Sequence, residues 1–582
     1  MKKHVIGWLA LSFSATMVVA QNANYNQHVP KDVSSIIRVN VPLVFNKVNI
    51  SAILEEMVQG SSKATSPTAD DKYMMELVKD PAKTGINLQQ ELWIMSNKLY
   101  AYDSTSYSYV MGSVKDTALF RKFLKAANGK KKVLLTKYQA GHYLALNANE
   151  STAFAWNSDF FISVKAKEAT RLQTERYNNY DENGNEKPRV EKKINYAQLA
   201  ANKAKNILTG YTTTPFITDG QFVASLATPA DVVIWSKEND NLGVLKNISK
   251  FGLKAPGADL LGAMHKSTDK SKTSVTAIRF ENGKVAVTST TQMDEELAGL
   301  MSNMMAGPIS SNLTNRILPG NDVLGWMSMN MNIAGLKTML PADMGTEINK
   351  ELAPYKLSTD ELMNAFKGEG MLVLMAPKNI VPGEKPKPQA YFAATVKNKP
   401  TVEKLFAMME DIKAKKATDR ATADSLAAAE NATDTTAKEE QEYNPPPPSK
   451  KGPLGDMKMM KLLTDDVLVI AGNNELTQQI ANNKTGADLS FMNATIKQSP
   501  FTFYIDVQAI YKMILAGDEP NTSKEKEMAQ MFAMFDKLLV YSNAPAKNSI
   551  DTKIDLLLTD TTTNSLQQLM EIFKAFGMKG LK

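Results

Sequence analysis

Three stretches of the sequence repeat an acid, an amide and a base at one spacing: Asp32, Asn40 and Lys47; Asp231, Asn239 and Lys246; Asp322, Asn330 and Lys337. Carboxylates and ammonium groups held at constant separation could form a repeated ligand site. The same residue types also serve as turns, helix caps and solvated helix positions. They are read that way here, because Asn40 and Asn330 stand where an N-cap would satisfy free N–H groups ahead of apolar residues. The carboxylate pairs Glu55-Glu56, Asp70-Asp71 and Asp465-Asp466 could supply acid–base chemistry. Adjacent carboxylates are common on surfaces, however, and glycosidase acids usually come from separate strands, so these pairs decide nothing.

The remaining reactive chemistry is sparse. The chain has 582 residues, no cysteine, 4 histidines and 32 methionines. Without cysteine there is no disulfide, thiolate nucleophile or Cys-ligated metal. Beyond the leader only His28, His142 and His265 remain; no two are neighbours and none lies in H-E-x-x-H spacing, so neither a zinc site nor a Ser-His-Asp triad has support. No phosphate-cradling glycine loop is present, so no nucleotide cofactor is indicated. Methionines cluster at Met301, Met304 and Met305, at Met327, Met329 and Met331, at Met457, Met459 and Met460, and at Met528, Met531 and Met534. Thioethers bind Cu(I), but the second group alternates as a strand does and the fourth follows helical spacing, which points to adaptable core filling. The sequence therefore assigns no catalytic, cofactor-binding or metal-ligating residue.

The N-terminus carries an address. Lys2 and Lys3 precede a largely apolar run from Val5 to Val19, and Val18-Val19-Ala20 offers small residues for cleavage before Gln21. Residues 1–20 read as a signal peptide, and no later stretch reaches the ~20 apolar residues of a membrane span. Removing it lowers the formal charge from +7 to +5, too small an excess to suggest nucleic acid as a partner. The expected location is the periplasm, with secretion or peripheral attachment to the outer membrane as alternatives. An exported chain without disulfides must be held by packed cores.

The elements that would position these residues are repeated. Each copy reads D-V-x6-N-x2-[IL]-x3-K, a strand followed by a helix, and a fourth, degenerate copy runs from Ser499-Pro500 to Asp506 and Lys512. Ser113 to Leu124 resembles Thr395 to Phe406, Leu92-Trp93-Ile94-Met95 aligns with Met371 to Leu374, Asp159 to Ser163 with Asp466 to Ile470, and Gln221 to Ala224 with Ser490 to Asn493. Their common order predicts a tandem duplication, A–B–A′–B′, with A at 22–168, B at 215–308, A′ at 309–485 and B′ at 486–582. Asn282-Gly283 between two alternating runs predicts a hairpin, followed by a helix from Asp294 to Met305. Strands that follow one another without helices predict an α+β fold of two long, mainly antiparallel sheets with helices packed on one face.

Two inserts interrupt the plan. Residues 413–452, polar and ending in Pro445 to Pro448, read as a disordered insertion into A′. Asp424-Ser425-Leu426 and Asp434-Thr435-Thr436 within it resemble the O-glycosylation acceptors used by Bacteroidetes. Residues 169–214 form a basic linker in which Lys192 to Leu208 is expected as a polar helix, a solvated face or a partner contact. Tyr180 to Lys192 looks like a calcium loop but has Glu186 where glycine belongs and Lys192 where the bidentate glutamate belongs, so a turn is expected.

The leader, the opening Val29-Pro-Lys-Asp-Val-Ser-Ser-Ile-Ile-Arg-Val-Asn40 and the repeated strand–helix starts resemble a family of exported Bacteroidetes proteins known as a domain of unknown function. The resemblance implies the address and the architecture over nearly all the mature chain, and implies no reaction. The leading expectation is a non-catalytic envelope protein that binds a protein or ligand through its duplicated scaffold. A hydrolase with a carboxylate or Ser/Lys site and a methionine-based metal-binding protein are the alternatives.

Overall fold

The computed structural model describes residues 25–48, 73, 76–77, 79–97, 105–128, 133–168, 194–210, 220–237, 271–317, 323–335, 342–377, 386, 388–433, 460–472, 474–483, 499–517 and 522–572. The leader, Glu55-Glu56, Asp70-Asp71, the calcium-like stretch, Asn239, Lys246, His265, Asp322, Lys337, residues 434–452 with Asp434-Thr435-Thr436, Met457, Met459 and Ser490 to Asn493 lie outside them.

Runs of β-branched and aromatic residues form eighteen strands: β1 (Val33–Val39), β2 (Leu92–Asn97), β3 (Thr105–Ser113), β4 (Val133–Gln139), β5 (His142–Asn147), β6 (Thr152–Trp156), β7 (Phe160–Glu168), β8 (Val232–Lys237), β9 (Ser271–Glu281), β10 (Lys284–Met293), β11 (Val323–Asn330), β12 (Phe366–Met375), β13 (Gln389–Val396), β14 (Met460–Leu463), β15 (Val467–Ala471), β16 (Phe501–Asp506), β17 (Phe535–Ser542) and β18 (Ser549–Leu558). All pair antiparallel in a single sheet. The fold is α+β, as the strand pattern implied. Where two sheets were expected there is one, because β10 pairs with β18 from Lys284↔Leu557 to Gln292↔Ser549 and closes the gap between the halves.

Strand order runs outward from this seam. On one side it is β10, β9, β8, β1, β2, β3, β7 and β6; on the other it is β18, β17, β16, β11, β12, β13, β15 and β14. The two lists correspond strand for strand, and β5 and β4 extend the first. Backbone hydrogen bonds correspond too. The Asn40 N–H donates to the Asp231 carbonyl at 2.8 Å and the Asn330 N–H to that of Pro500 at 2.7 Å; Lys115 donates to Gly85 at 2.8 Å and Lys397 to Ala365 at 2.9 Å. One alignment needs a shift. Met95 faces Tyr109, and Val373 faces Tyr391, so Trp93 corresponds to Met371 rather than to Leu372. A one-residue slip in a strand turns every side chain to the other face, and burial follows the shifted register: Trp93, Met95, Met371 and Val373 are buried while Ile94 and Leu372 are exposed.

Helices line both faces, not one. On the first face Tyr196–Leu208 buries Ala200, Ala201, Ala204 and Ile207 against β1, β2, β3 and β5 to β8, so one side of this helix is core, and Gln198, Asn202 and Asn206 form its solvated side. Its alanines allow close approach to the sheet. Asn474–Asn482 does the same for the second half through Leu476 and Ile480. On the second face Phe120, Phe123 and Leu124 of Thr117–Asn128 pack on Val110, Phe161 and Trp156, while Val402 of Lys399–Thr433 packs on Val396 and Leu468. The latter helix runs through 413–433, including Ser425, where disorder was expected. Its first turns are fixed by packing, and the Ala-rich continuation propagates a helix already nucleated.

Two buried arginines tie helix ends to the sheet. Arg38 on β1 donates to both Glu91 carboxylate oxygens at 3.1 and 2.7 Å and to the Ser225 carbonyl at 2.7 Å, at the C-terminal end of Gly220–Leu226. Arg316 donates to the Ala481 carbonyl and, at 3.2 Å, to that of Asn483 and to Asp466, at the end of Asn474–Asn482. Each guanidinium meets carbonyls that a helix leaves without intrahelical partners, at its negative dipole end.

The predicted hairpin forms between β9 and β10, with Gly283 at φ 62°. A Cβ there would lie 2.5 Å from the Thr561 Cα, whereas at Gly141, φ 74° in the β4–β5 turn, it would meet nothing within 4 Å. Gly141→Ala is expected to cost about 1 kcal/mol for the left-handed backbone alone, and Gly283→Ala clearly more. Equal shifts of the denaturation midpoint in the two variants would refute the packing contribution.

Candidate functional site

The structure brings the first two repeated motifs together. β1 and β8 are neighbours, so Lys47 at the end of one copy reaches Asp231 at the start of the other, Nζ to Oδ2 2.7 Å. Asp231 is 1% exposed and also accepts the Phe280 N–H at 2.6 Å. The pair is thus structural, but it is not the solvated lysine and simple turn that the sequence suggested. Asp32 accepts from Lys203 at 3.1 Å and from the Tyr109 hydroxyl at 3.2 Å. Burial, with the Asp32 charge added, pushes the Tyr109 hydroxyl far up, so it remains a donor. Asn40 caps the Val41–Phe45 helix by accepting the Leu43 N–H. Asn330 does not cap: its amide donates to the carbonyls of Gly307 at 2.8 Å and Pro308 at 3.0 Å, and Asn332 accepts the Gly335 N–H instead. Asp506 accepts the Ala509 N–H at the start of Val507–Gly517.

Other candidates are also absorbed into structure. Asp465 pairs with Lys399 at 3.0 Å and Asp466 with Arg316 at 3.2 Å. His28 hydrogen-bonds the Ile207 carbonyl at 3.1 Å and lies 4.2 Å, centroid to centroid, from Phe160; His142 bonds the Ala140 carbonyl at 2.9 Å. Met327 and Met329 project from one face of β11, as alternation implied, and Met304 is buried. Among the described residues no three His, Asp or Glu side chains gather as a metal would require.

What the sequence did not reveal is a row. Following directly opposed residues across the second face gives Leu92 on β2, Val39, Val232, Ile278, Val287, Ile554, Val540, Phe503, Met327, Leu372, Phe392 and finally Ile470 on β15. Twelve adjacent strands each contribute one apolar side chain, and none of the twelve is fully buried. Leu372 is 43% and Phe392 38% exposed. The line extends about 50 Å at the usual strand spacing. Opposed residues of the row lie up to 267 positions apart in sequence, as Val287 and Ile554 do, and only the register reveals them. Alternation along each strand was visible; alignment between strands was not.

The same central strands are polar on the first face. Lys284 lies 3.3 Å from Glu281 and 3.6 Å from Asp555, the Thr290 hydroxyl donates to Asp551 at 2.6 Å, and the Lys553 ammonium sits over the Tyr541 ring. Burial alone would lower the Lys284 pKa; the two carboxylates outweigh it and raise it. The seam therefore presents a half-buried charged strip on one side and a partly exposed apolar line on the other. Such a surface can hold an apolar molecule or protein segment by area, with little directional chemistry.

Replacing Lys47 with Met strands the Asp231 carboxylate, with the expected loss about 3 kcal/mol. Adding Asp231→Asn should recover most of it; a loss below 1 kcal/mol in a denaturant titration would contradict the coupling. Burial holds His28 neutral and lowers its pKa, with the Ile207 hydrogen bond opposing. Below the ordinary histidine range, about pH 6.5, the unfolded chain takes up the proton first, so stability falls as pH drops from there toward the folded value. His28→Gln should flatten that part of the stability–pH curve, and an unchanged slope would exclude His28 as its source.

No family model matches the chain, and no curated protein matches it by sequence. Crystal form I of TP0453 aligns with 48% of this chain and 81% of its own, at 9% identity and TM-score 0.21. Crystal form III of the same protein aligns with 50% and 91%, at 9% identity and TM-score 0.23. A likeness at this level extends to neither family nor function.

Proposed function

We propose that the chain is an exported, non-catalytic protein of the bacterial envelope, periplasmic in location, that binds an apolar ligand or protein segment on its continuous sheet. The observation that carries this reading is the row from Leu92 to Ile470: soluble proteins rarely leave a long, contiguous line of aliphatic and aromatic side chains unsealed unless something covers it. We read the corresponding strand orders and hydrogen bonds as a tandem duplication, in which joining two units lengthens one face beyond what either would offer. The basic and apolar leader supports export. Among the described residues no helix is long and apolar enough to cross a membrane.

The mature chain, captured from its native envelope, is expected to carry an apolar ligand or a partner. A Leu372→Asn/Phe392→Asn variant should lose it while keeping its thermal midpoint, since exposed substitutions usually change stability by less than about 0.5 kcal/mol. Equal occupancy of wild type and variant in mass-spectrometric analysis of the captured material would refute the assignment, as would an empty wild type.

A further inference from the structure

The second face carries a strongly basic region at the outer end of the first half. Thr117–Asn128 packs its apolar side on that face and turns Arg121, Lys122 and Lys125 to solvent, with no acidic residue within the helix. Beside it β7 presents Lys165 and Lys167, both exposed. Their cross-strand neighbours are Ser108, Ser106 and Thr152, so neither has a carboxylate opposite it. The helix lies against the face of β7 that carries the lysines, with the Phe120 ring 5.0 Å from that of Phe161, and five residues after Asn128 the chain reaches Val133, in the row Val133, Asn147, Thr152, Lys165. Lys137, on the edge strand β4, stands on the same face opposite Tyr143.

Among the described residues the acids beside the helix are engaged elsewhere, Glu76 lying 4.0 Å from Lys83. Asp116 accepts the N–H groups of Ala118 and Leu119 at the helix start. Among the described residues no ion pair engages Arg121, Lys125, Lys137, Lys165 or Lys167, and Lys122 lies over the Tyr73 ring at 4.2 Å. The same half also exposes Ile94 on β2 and Leu43 on the Val41–Phe45 helix. Strand twist of roughly 20° per step turns the far half of the sheet away, so a flat partner could meet this region without meeting the other half.

We propose that this basic region docks the protein peripherally on an anionic phospholipid bilayer. Unpaired lysines and an arginine complement anionic headgroups, and Ile94 and Leu43 supply side chains able to enter the interface, which a soluble polyanion would not use. The docking is independent of what fills the row of the second face, and it goes beyond that reading by fixing where the protein sits.

The test uses the mature full-length chain and sedimentation with phosphatidylglycerol–phosphatidylcholine vesicles or vesicles of phosphatidylcholine alone. Binding to the anionic vesicles only, weakened by added salt, is expected. Arg121→Glu/Lys125→Glu/Lys165→Glu should weaken it by more than about tenfold at an unchanged melting temperature. Leu43→Ser should weaken vesicle binding while leaving binding to a double-stranded oligonucleotide untouched. No sedimentation with anionic vesicles, or a triple variant that binds like wild type, would overturn the proposal. So would an oligonucleotide bound as tightly as the vesicles, which would mark the region as a general polyanion site.

Discussion

The antiparallel pairing of β10 with β18 is the constraint on which the rest of the molecule depends. Each strand is the last of its half, and each would be an open edge with a full line of unpaired N–H and C=O groups. Pairing the two removes both edges at once, from Lys284↔Leu557 to Gln292↔Ser549. Because the pairing is antiparallel, the two halves are related head to tail, and both keep the same faces on the same sides of the sheet. The continuity of the apolar row, the charged strip behind it and the two sets of helices on each side all follow from that register.

The two faces meet different requirements. On the first, Trp93, Tyr109, Trp235, Trp326 and Tyr391 are sealed under helices. Arg38 and Arg316 enter only where a helix ends and offers carbonyls, with Glu91 or Asp466 to balance the charge. The Lys47–Asp231 pair adds a third such fastening, between β8 and the chain following β1. Apolar area supplies the bulk of the stability, and these groups fix which helix lies over which strands. The second face is sealed at its outer ends by Thr117–Asn128 and Lys399–Thr433, and Glu295–Met304 packs on Met293 and Ile550 at the seam, whereas the row between them stays partly exposed. Eighteen strands exceed what a twisted open sheet usually sustains, and helices on both faces supply the burial that such a width needs.

Sequence periodicity was informative wherever the deciding interactions were local. The Asn282-Gly283 hairpin, the helix that follows from Asp294, the strand alternation of Met327 and Met329 and the α+β class were legible because a turn, a helical period and a pleat are specified within a few residues. Readings failed where distant residues intervened. Tyr196–Leu208 looked polar and solvated, yet its alanines and Ile207 meet a sheet assembled from elements up to some 170 residues earlier. Residues 413–433 looked too polar to order, yet they extend a helix whose start is packed.

The candidate surface divides in the same way. By itself the sequence determined that no cysteine or paired histidine chemistry is on offer, that the strands alternate, and that motifs recur in a common order. Those properties belong to residue types and short spacings. Only the tertiary structure decided that Lys47 neutralises Asp231, that Asn330 donates to carbonyls instead of capping, and that twelve strands align one apolar residue each on a single face. Cross-strand register is set by hydrogen bonds between segments hundreds of residues apart, and a shift of one residue anywhere would turn part of that row to the opposite side.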